Sequence, residues 1–319
     1  MSSSSAPRLT LSDRWYVFRR ALASFWLGHG LDEGAKLTFF TVLAFAPTVL
    51  SVYSLSTLVL ANNREVVNQA TDSFIESYVM EEYEQLTREV VSMVVGSAAQ
   101  GWAGLIIAVV ISLFSASGYV RALSRTANEA FGVREGRNPV RLLGKMALIM
   151  ALMVLGIMVI LVTVTVNRTV VEAVLIPVAV PLGLEGMVVF LTETFLPVWE
   201  WVRWPLTALM VMLLLDVLYH YTANIRLPKF RWISAGAIFA ALGLAGVGAG
   251  FWVYLRYFTG VSSYGTIGTL LAALFALWGA NIVVVLGLFL VVETERLHLL
   301  RQGQAAEEEF PLPLRSGRG

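Results

Sequence analysis

The chain has 319 residues, of which 57% are hydrophobic and only 14% charged, with a formal net charge of +1 and a mean hydropathy of +0.72. Globular proteins carry about 25% charged residues, so this composition excludes a water-soluble domain, and the near-neutral charge removes the electrostatic case for nucleic acid. Cysteine is absent, which excludes disulfides and thiol chemistry, and His29, His220 and His298 lack metal-ligand spacing, so no metal or other cofactor is expected.

In chain order, residues 1–36 open with the polar stretch MSSSSAPRLTLSDRW, which has no apolar core and does not read as a cleavable signal. They are expected to form a cytoplasmic segment with an interfacial helix. Six apolar runs follow, at 37–61, 101–120, 142–166, 204–222, 233–256 and 266–292. Each is long enough for the roughly 20 residues that cross a bilayer core. The last lies in Tyr264–Val292, which has no charged side chain at all. The expected fold is an all-α polytopic membrane helical bundle, six transmembrane helices with amphipathic extracytoplasmic helices. Segment 62–100 supplies the latter, since Val67, Ala70, Phe74, Tyr78 and Val79 recur at helical spacing among acids. Segment 167–203 holds Pro177, Pro181 and Pro197, and ends near Trp199, Trp201 and Trp204, rings suited to the membrane boundary. Residues 293–319 read as a cytoplasmic tail, largely disordered from its Gly, Glu, Pro and Arg content.

Charge sets the direction. With the amino terminus in the cytoplasm, 18 of the 23 Lys and Arg fall in inner segments, and both termini lie inside. The location that follows is a bacterial cytoplasmic (inner) membrane, with membrane lipids as partners. Envelope proteins are further expected partners, through 62–100 and 167–203. Lys145 stands one turn into the third span, where it can snorkel. Gly246 and Gly250 form a GxxxG step in the fifth span, with Ala241, Ala245 and Ala249 beside it, which predicts close helix packing inside one bundle, with homodimerisation as the alternative. The sequence sets no oligomeric state.

Asp216 is the outstanding polar residue, because a charge at bilayer depth costs at least about 2.5–3.5 kcal/mol. His220 and Asn224 follow at i+4 and i+8, so the three are expected along one helix face, as a polar stripe lining a path. The alternative is an ion pair from Asp216 to Arg121 or Arg125. A second candidate cluster opens the first span, with Asp32, Glu33 and Lys36, an Asp32–Lys36 pair at i,i+4, and Pro47 kinking the helix beyond. A third is the inner loop 121–145. Positive-inside topology accounts for most of its charge, Arg141 included, and the alternative is that Arg121, Arg125, Arg134 and Arg137 gather anionic headgroups. No phosphate-binding glycine loop, HExxH or GxSxG is present, so neither an ATP-driven pump nor a protease or other enzyme is read here.

Four stretches in this order resemble the YihY/BrkB family of bacterial membrane proteins. They are DEGAKLTFFTVLAFAPTVLSV from Asp32, SRTANEAFGVREGR, LYHYTANIRLPKFRWISAGAIFAAL, and the last span with its ETER end. The resemblance places Asn128, Glu135 and Arg137 on the family's turn. It also places Pro47, Tyr264, Gly265, Trp278, Gly287, Glu295 and Arg296 on matching positions. Where the family has Gly-Ala-Glu, this chain has Gly287, Leu288 and Phe289, so an acid is lost and Asp32 becomes the stronger carried-over candidate. The resemblance implies six spans, a cytoplasmic-membrane location and an envelope role. Its ribonuclease label is widely regarded as a misassignment. Two functions fit, movement of an envelope lipid or other amphiphile, and a non-transporting scaffold or regulator. A membrane-bound ribonuclease is the weak third.

Overall fold

The computed structural model describes residues 10–59, 64–79, 81–95, 102–166, 171, 185–227, 232–258, 265–307 and 310–315. It is an all-α membrane bundle. The helices are α1 (Leu11–Leu27), α2 (Gly30–Val59), α3 (Arg64–Tyr78), α4 (Glu81–Val95), α5 (Trp102–Ala130), α6 (Pro139–Thr165), α7 (Glu185–Val189), α8 (Leu196–Thr222), α9 (Ala235–Phe258) and α10 (Gly265–Arg301). A π-helical turn, Phe190–Phe195, joins α7 to α8. By length and composition, five stretches among the described residues can cross a membrane: Gly30–Ser56, Pro139–Thr165, Phe190–Thr222, Ala235–Tyr257 and Gly268–Arg301. The expected second span falls on α5, which is not among these five.

Several helices outrun their apolar cores. The supposed inner loop 121–145 is mostly helix, since α5 continues to Ala130 and α6 starts at Pro139. Only 131–138 turns the chain. Gly132 takes φ +65 at the end of α5 and donates its N–H to Glu129 O, a left-handed stop that a side chain would disfavour. The 37 residues of α10 are about 55 Å long, well beyond a hydrocarbon core of about 30 Å. The tryptophans near 200 belong to α8, with Trp201 and Trp204 exposed.

The chain divides into two compact units. The first holds Met1–Val42, Gly118–Ile149 and Met212–Gly319, and the second Leu43–Ser117 and Met150–Val211. In the second, α3 and α4 cover the acidic segment and are tied by Arg88, which ion-pairs with Asp72 and Glu76 of α3 and Glu84 of α4. Tyr53 donates to Asn68, 3.2 Å away. Pro47 lies inside α2, and its carbonyl accepts the Ser51 hydroxyl at 2.8 Å.

In the first unit, α1 starts with a capping box. Asp13 N donates to Thr10 Oγ1, and Thr10 N donates to Asp13 Oδ2 at 2.7 Å. Its buried face, Val17, Ala21 and Phe25 at i,i+4 spacing, packs on α10. The closest approach is between α9 and α10. A Cβ on Gly236 would stand 2.2 Å from Gly287 O, and one on Gly243 2.4 Å from Val283. The expected packing pair is therefore corrected. Among the described residues nothing lies within 4 Å of a Cβ built on Gly246 or Gly250, and the seam inside the bundle uses Gly236, Gly243 and Gly287 instead.

The tail also departs from expectation. Residues 304–307 and 310–315 are not loose but fold back on this unit. Arg296 donates to the carbonyls of Ala306 (2.8 Å) and Glu307 (2.6 Å) and stacks on Phe310, whose ring meets Phe131 at 5.1 Å. Arg226 N then donates to Pro313 O, and Arg315 N to Asn224 O. Gly, Pro and charge describe a weak local preference for order, and these long-range contacts override it.

Candidate functional site

In the spanning part of the first unit Glu33, Asp216 and Glu293 are each held by a named partner, and Asp32 is turned outward. At the start of α2 the inward acid is Glu33, not Asp32. Glu33 pairs with Lys36 one turn on and accepts from the Thr126 hydroxyl of α5. The Asp32 side chain is 84% exposed and, among the described residues, pairs with His29 at 3.9 Å. The expected Asp32–Lys36 pair is thus replaced by Glu33–Lys36. The i,i+3 geometry turns Lys36 to the side of α2 that faces α5.

Asp216 is 4% exposed. Its Oδ2 accepts the backbone N–H of Ser234 at 3.0 Å, while Ser234 Oγ accepts from Ala237 N at 3.0 Å. The carboxylate therefore sits at the amino end of α9, where unpaired N–H groups and the helix dipole favour negative charge. Neither Arg121 nor Arg125 lies within ion-pair distance of it among the described residues, so the expected arginine partner is corrected. Asp216, Tyr219, His220, Ser234 and Glu295 line a pocket of about 40 Å³. That is room for a few waters at most, since one needs about 10–15 Å³. The expected polar stripe also breaks. Asn224 lies beyond the end of α8 and faces a different set of groups. Asp216→Asn is expected to keep the acceptor and cost under about 1 kcal/mol, whereas Asp216→Leu orphans a buried N–H and costs about 1–3 kcal/mol. Thermal unfolding of the purified protein in detergent checks both.

That different set is a junction at the ends of α5, α6 and α8, built on Arg137. Its Nε donates to Glu135 Oε1 at 2.7 Å, and one terminal nitrogen reaches Glu135, Ser124 Oγ (2.8 Å) and Thr222 O (3.0 Å). Ser124 Oγ donates in turn to Thr222 O at 2.7 Å. Asn128 bridges the same elements, giving Nδ2 to Glu135 at 2.9 Å and taking Asn224 N at 2.7 Å, while Asn224 Nδ2 reaches Arg134 O at 3.2 Å. Of the basic residues expected to gather headgroups, only Arg137 is buried. Arg134 and Arg125 are exposed, Arg125 lying over Phe40 at 5.8 Å, and Arg121 is half-buried.

Burial works to raise the Glu135 pKa. The side-chain and backbone hydrogen bonds from Arg137, its charge and Asn128 outweigh that and hold the group below its ordinary 4.5. A depressed carboxyl adds stability above its unfolded value and loses it as pH falls through the folded one. Stability is therefore expected to decline below about pH 4.5, and Glu135→Gln should flatten that slope in acid unfolding curves.

Two polar knots were not anticipated from sequence. Asn281, in the middle of the uncharged run, accepts from Tyr119 OH at 3.1 Å and donates to Thr41 (3.1 Å), Thr38 (3.3 Å) and Leu277 O (2.9 Å). Glu293, 3% exposed, accepts from Ser24 Oγ at 2.9 Å and ion-pairs with Arg20 (2.8 Å) and Arg296 (3.3 Å). A neutral amide inside an uncharged run, facing Thr38 and Thr41 at i,i+3 on α2, is the signal that could have revealed the first. Of the family-pattern positions, Trp278 donates to Leu31 O at 3.2 Å, Gly287 lies in the α9–α10 seam and Gly265 begins α10. Tyr264 falls outside the described residues. Phe289, where the resemblance expects an acid, packs edge-on to Phe25 at 6.1 Å.

From the glycine seam, α9 and α10 part toward their other ends. Val247, Phe251, Tyr254, Leu271, Ala272 and Phe275 line an apolar groove there of about 560 Å³. That is within the roughly 300–1,000 Å³ of sites for drug-sized molecules.

The family model described as virulence factor BrkB matches residues 21–310. Among curated proteins the chain is similar to a ribonuclease-like protein, YfkH, of Bacillus subtilis (strain 168), 24% identical over 272 residues, covering 84% of this chain and 91% of that protein. No solved structure matches at a significant level.

Proposed function

Because the chain belongs to the virulence factor BrkB family, we propose that it is a six-span protein of the bacterial cytoplasmic membrane, both termini inside, that moves an envelope lipid or similar amphiphile between leaflets. The observation that carries this reading is the α9–α10 groove. It lies within two spanning stretches, it is apolar, and it is large enough for part of an acyl chain. The water-sized pocket at Asp216 is too small for a headgroup. Of the span acids, Glu33, Asp216 and Glu293 are bound to structural partners. These facts favour unassisted exchange along a lateral groove over coupling to protons. Reconstitution into liposomes with labelled lipid tests the reading. Faster exchange between leaflets supports it, and rates equal to protein-free vesicles reject it.

A scaffold role has its own support in the α3–α4 hairpin. There one arginine, Arg88, is shared by three acids, leaving a face of net negative charge for a basic partner. Substitutions confined to Asp72, Glu76 and Glu84 that abolish function while lipid exchange persists would favour it. The ribonuclease-like name stays with the Bacillus protein. Among the described residues no three His, Asp or Glu come together in a way that could hold a metal ion, as the two-metal route to phosphodiester cleavage requires.

A further inference from the structure

Helix α1 carries two apolar faces. One, Val17, Ala21 and Phe25, is buried against α10. The other is uncovered among the described residues. Leu11, Trp15, Leu22 and Trp26 are all exposed, the two tryptophans at 61% and 60%. With 3.6 residues per turn, these four fall within about 60° of arc, beside the buried face. Contiguous exposed apolar surface of this kind marks an interaction site.

Contacts and charge say what covers it. Trp15 stacks on Phe18 at 5.9 Å, and Phe18 meets Phe239 of α9 at 6.2 Å. Phe239 stands one turn inside the spanning stretch Ala235–Tyr257, and exposed Leu242 follows about one turn deeper. The stripe is therefore continuous with the apolar exterior of a spanning helix. Arg14 and Arg19, both exposed, flank it on either side, and neither has an ion pair among the described residues. The other two charges of α1 are used within the bundle, Asp13 by Arg301 and Arg20 by Glu293. What remains is an excess of positive charge at the edge of the stripe.

We infer that Leu11, Trp15, Leu22 and Trp26 form a membrane-surface anchor for anionic lipid. The stripe sinks into the boundary between headgroups and acyl chains, where indole rings are favoured. Arg14 and Arg19 reach the lipid phosphates beside it, for which the guanidinium fork is suited. Ser12 and Ala23, exposed on the flank beyond Arg19, meet water. An interfacial helix is expected from the sequence, but which side of it would meet lipid is decided by how α1 packs on α10 and α9. The anchor does not rest on lipid movement and uses neither the α9–α10 groove nor the arginines of the turn between α5 and α6.

The experiment uses the full chain in liposomes. Cysteine is absent from the sequence, so single substitutions carry a nitroxide label without background. Trp15→Cys and Leu22→Cys probe the stripe, and Ser12→Cys and Ala23→Cys the other flank. Two positions on each side keep the test open if one variant does not fold. Electron paramagnetic resonance compares collision of each label with oxygen, which concentrates in the bilayer, and with a water-soluble nickel chelate. The expected result is oxygen-dominated collision at 15 and 22, at a depth of about 5–10 Å, and nickel-dominated collision at 12 and 23. Nickel-dominated collision at all four positions overturns the inference. Protection from both reagents at 15 and 22 also overturns it, because protein then covers the stripe, and spin–spin broadening would identify a second copy as that protein. Adding phosphatidylglycerol to phosphatidylcholine liposomes should deepen the labels at 15 and 22, and combining Arg14→Gln with Arg19→Gln should remove that change. Equal depth in the two lipid mixtures overturns the preference for anionic lipid. Neither readout depends on leaflet exchange, so failure here and failure of the proposed function are separable.

Discussion

Gly236→Ala is expected to prevent or severely weaken folding, while Gly246→Ala and Gly250→Ala are expected to be neutral or slightly stabilising. All three residues are on α9, and all three changes add one methyl group. Helix propensity alone favours alanine by about 1 kcal/mol at each position. The difference lies in what the methyl meets. At Gly236 it would stand 2.2 Å from the carbonyl oxygen of Gly287 and 2.6 Å from Val291 Cγ2. The first of these is backbone and cannot swing away, so α9 must separate from α10. Overpacking costs about 1–3 kcal/mol where side chains can adjust and more where they cannot. Here separation also disturbs the Tyr219 hydroxyl, which donates to Val284 O at 2.9 Å beside Gly287. At Gly246 and Gly250 nothing among the described residues lies within 4 Å of the added methyl. Expression yield and melting temperature of the three variants in detergent measure the contrast. A Gly236→Ala protein as stable as wild type would mean that the seam is not the close contact described.

That contrast shows where sequence reading works and where it stops. The apolar runs of α2, α6, α8, α9 and α10 are legible because hydropathy is a property of consecutive side chains, and a bilayer demands about 20 of them. The helix ends are less so. Arg121 to Ala130 and Glu293 to Arg301 are helical but polar, and hydropathy reports the solvent around a segment rather than its backbone. GxxxG is visible as a spacing, but both Gly236/Gly243 and Gly246/Gly250 lie on α9, and only the partner helix decides which face is used. Asp216 stands out as costly at depth. Its partner does not, because the Ser234 N–H is a backbone group that any residue would supply. The tail reads as disordered since nothing local orders it. Phe310 and Arg315 find their contacts on Phe131, His220 and Ile225, far away in sequence. The Arg137 turn is the opposite case. Family resemblance singled out Asn128, Glu135 and Arg137 together, and they do meet, though as a buried junction rather than a headgroup surface.

Removing Arg137 is accordingly expected to be the most damaging single change in that junction. Arg137→Ala strips both Glu135 oxygens of their main donor, leaves Thr222 O with Ser124 alone, and opens the space between α5, α6 and α8. Breaking a buried pair from one side costs about 3–5 kcal/mol, and the partial exposure of Glu135 places this case near 3 kcal/mol. Arg137→Lys is expected to recover little. An ammonium cannot reach two carboxylate oxygens, Ser124 and Thr222 at once as a planar fork does. Glu135→Gln should cost less than Arg137→Ala. It leaves the guanidinium bound to Thr222 O and Ser124 and keeps an amide oxygen for Arg137 N, which donates to Glu135 at 3.0 Å. A double-mutant cycle over the two positions isolates the pair from the cavity. Coupling well above the 0.2–1 kcal/mol or so of an exposed salt bridge is the expected outcome. Simple additivity would instead mean that the two residues act on stability separately, Arg137 through the end of α8 and Glu135 through Asn128.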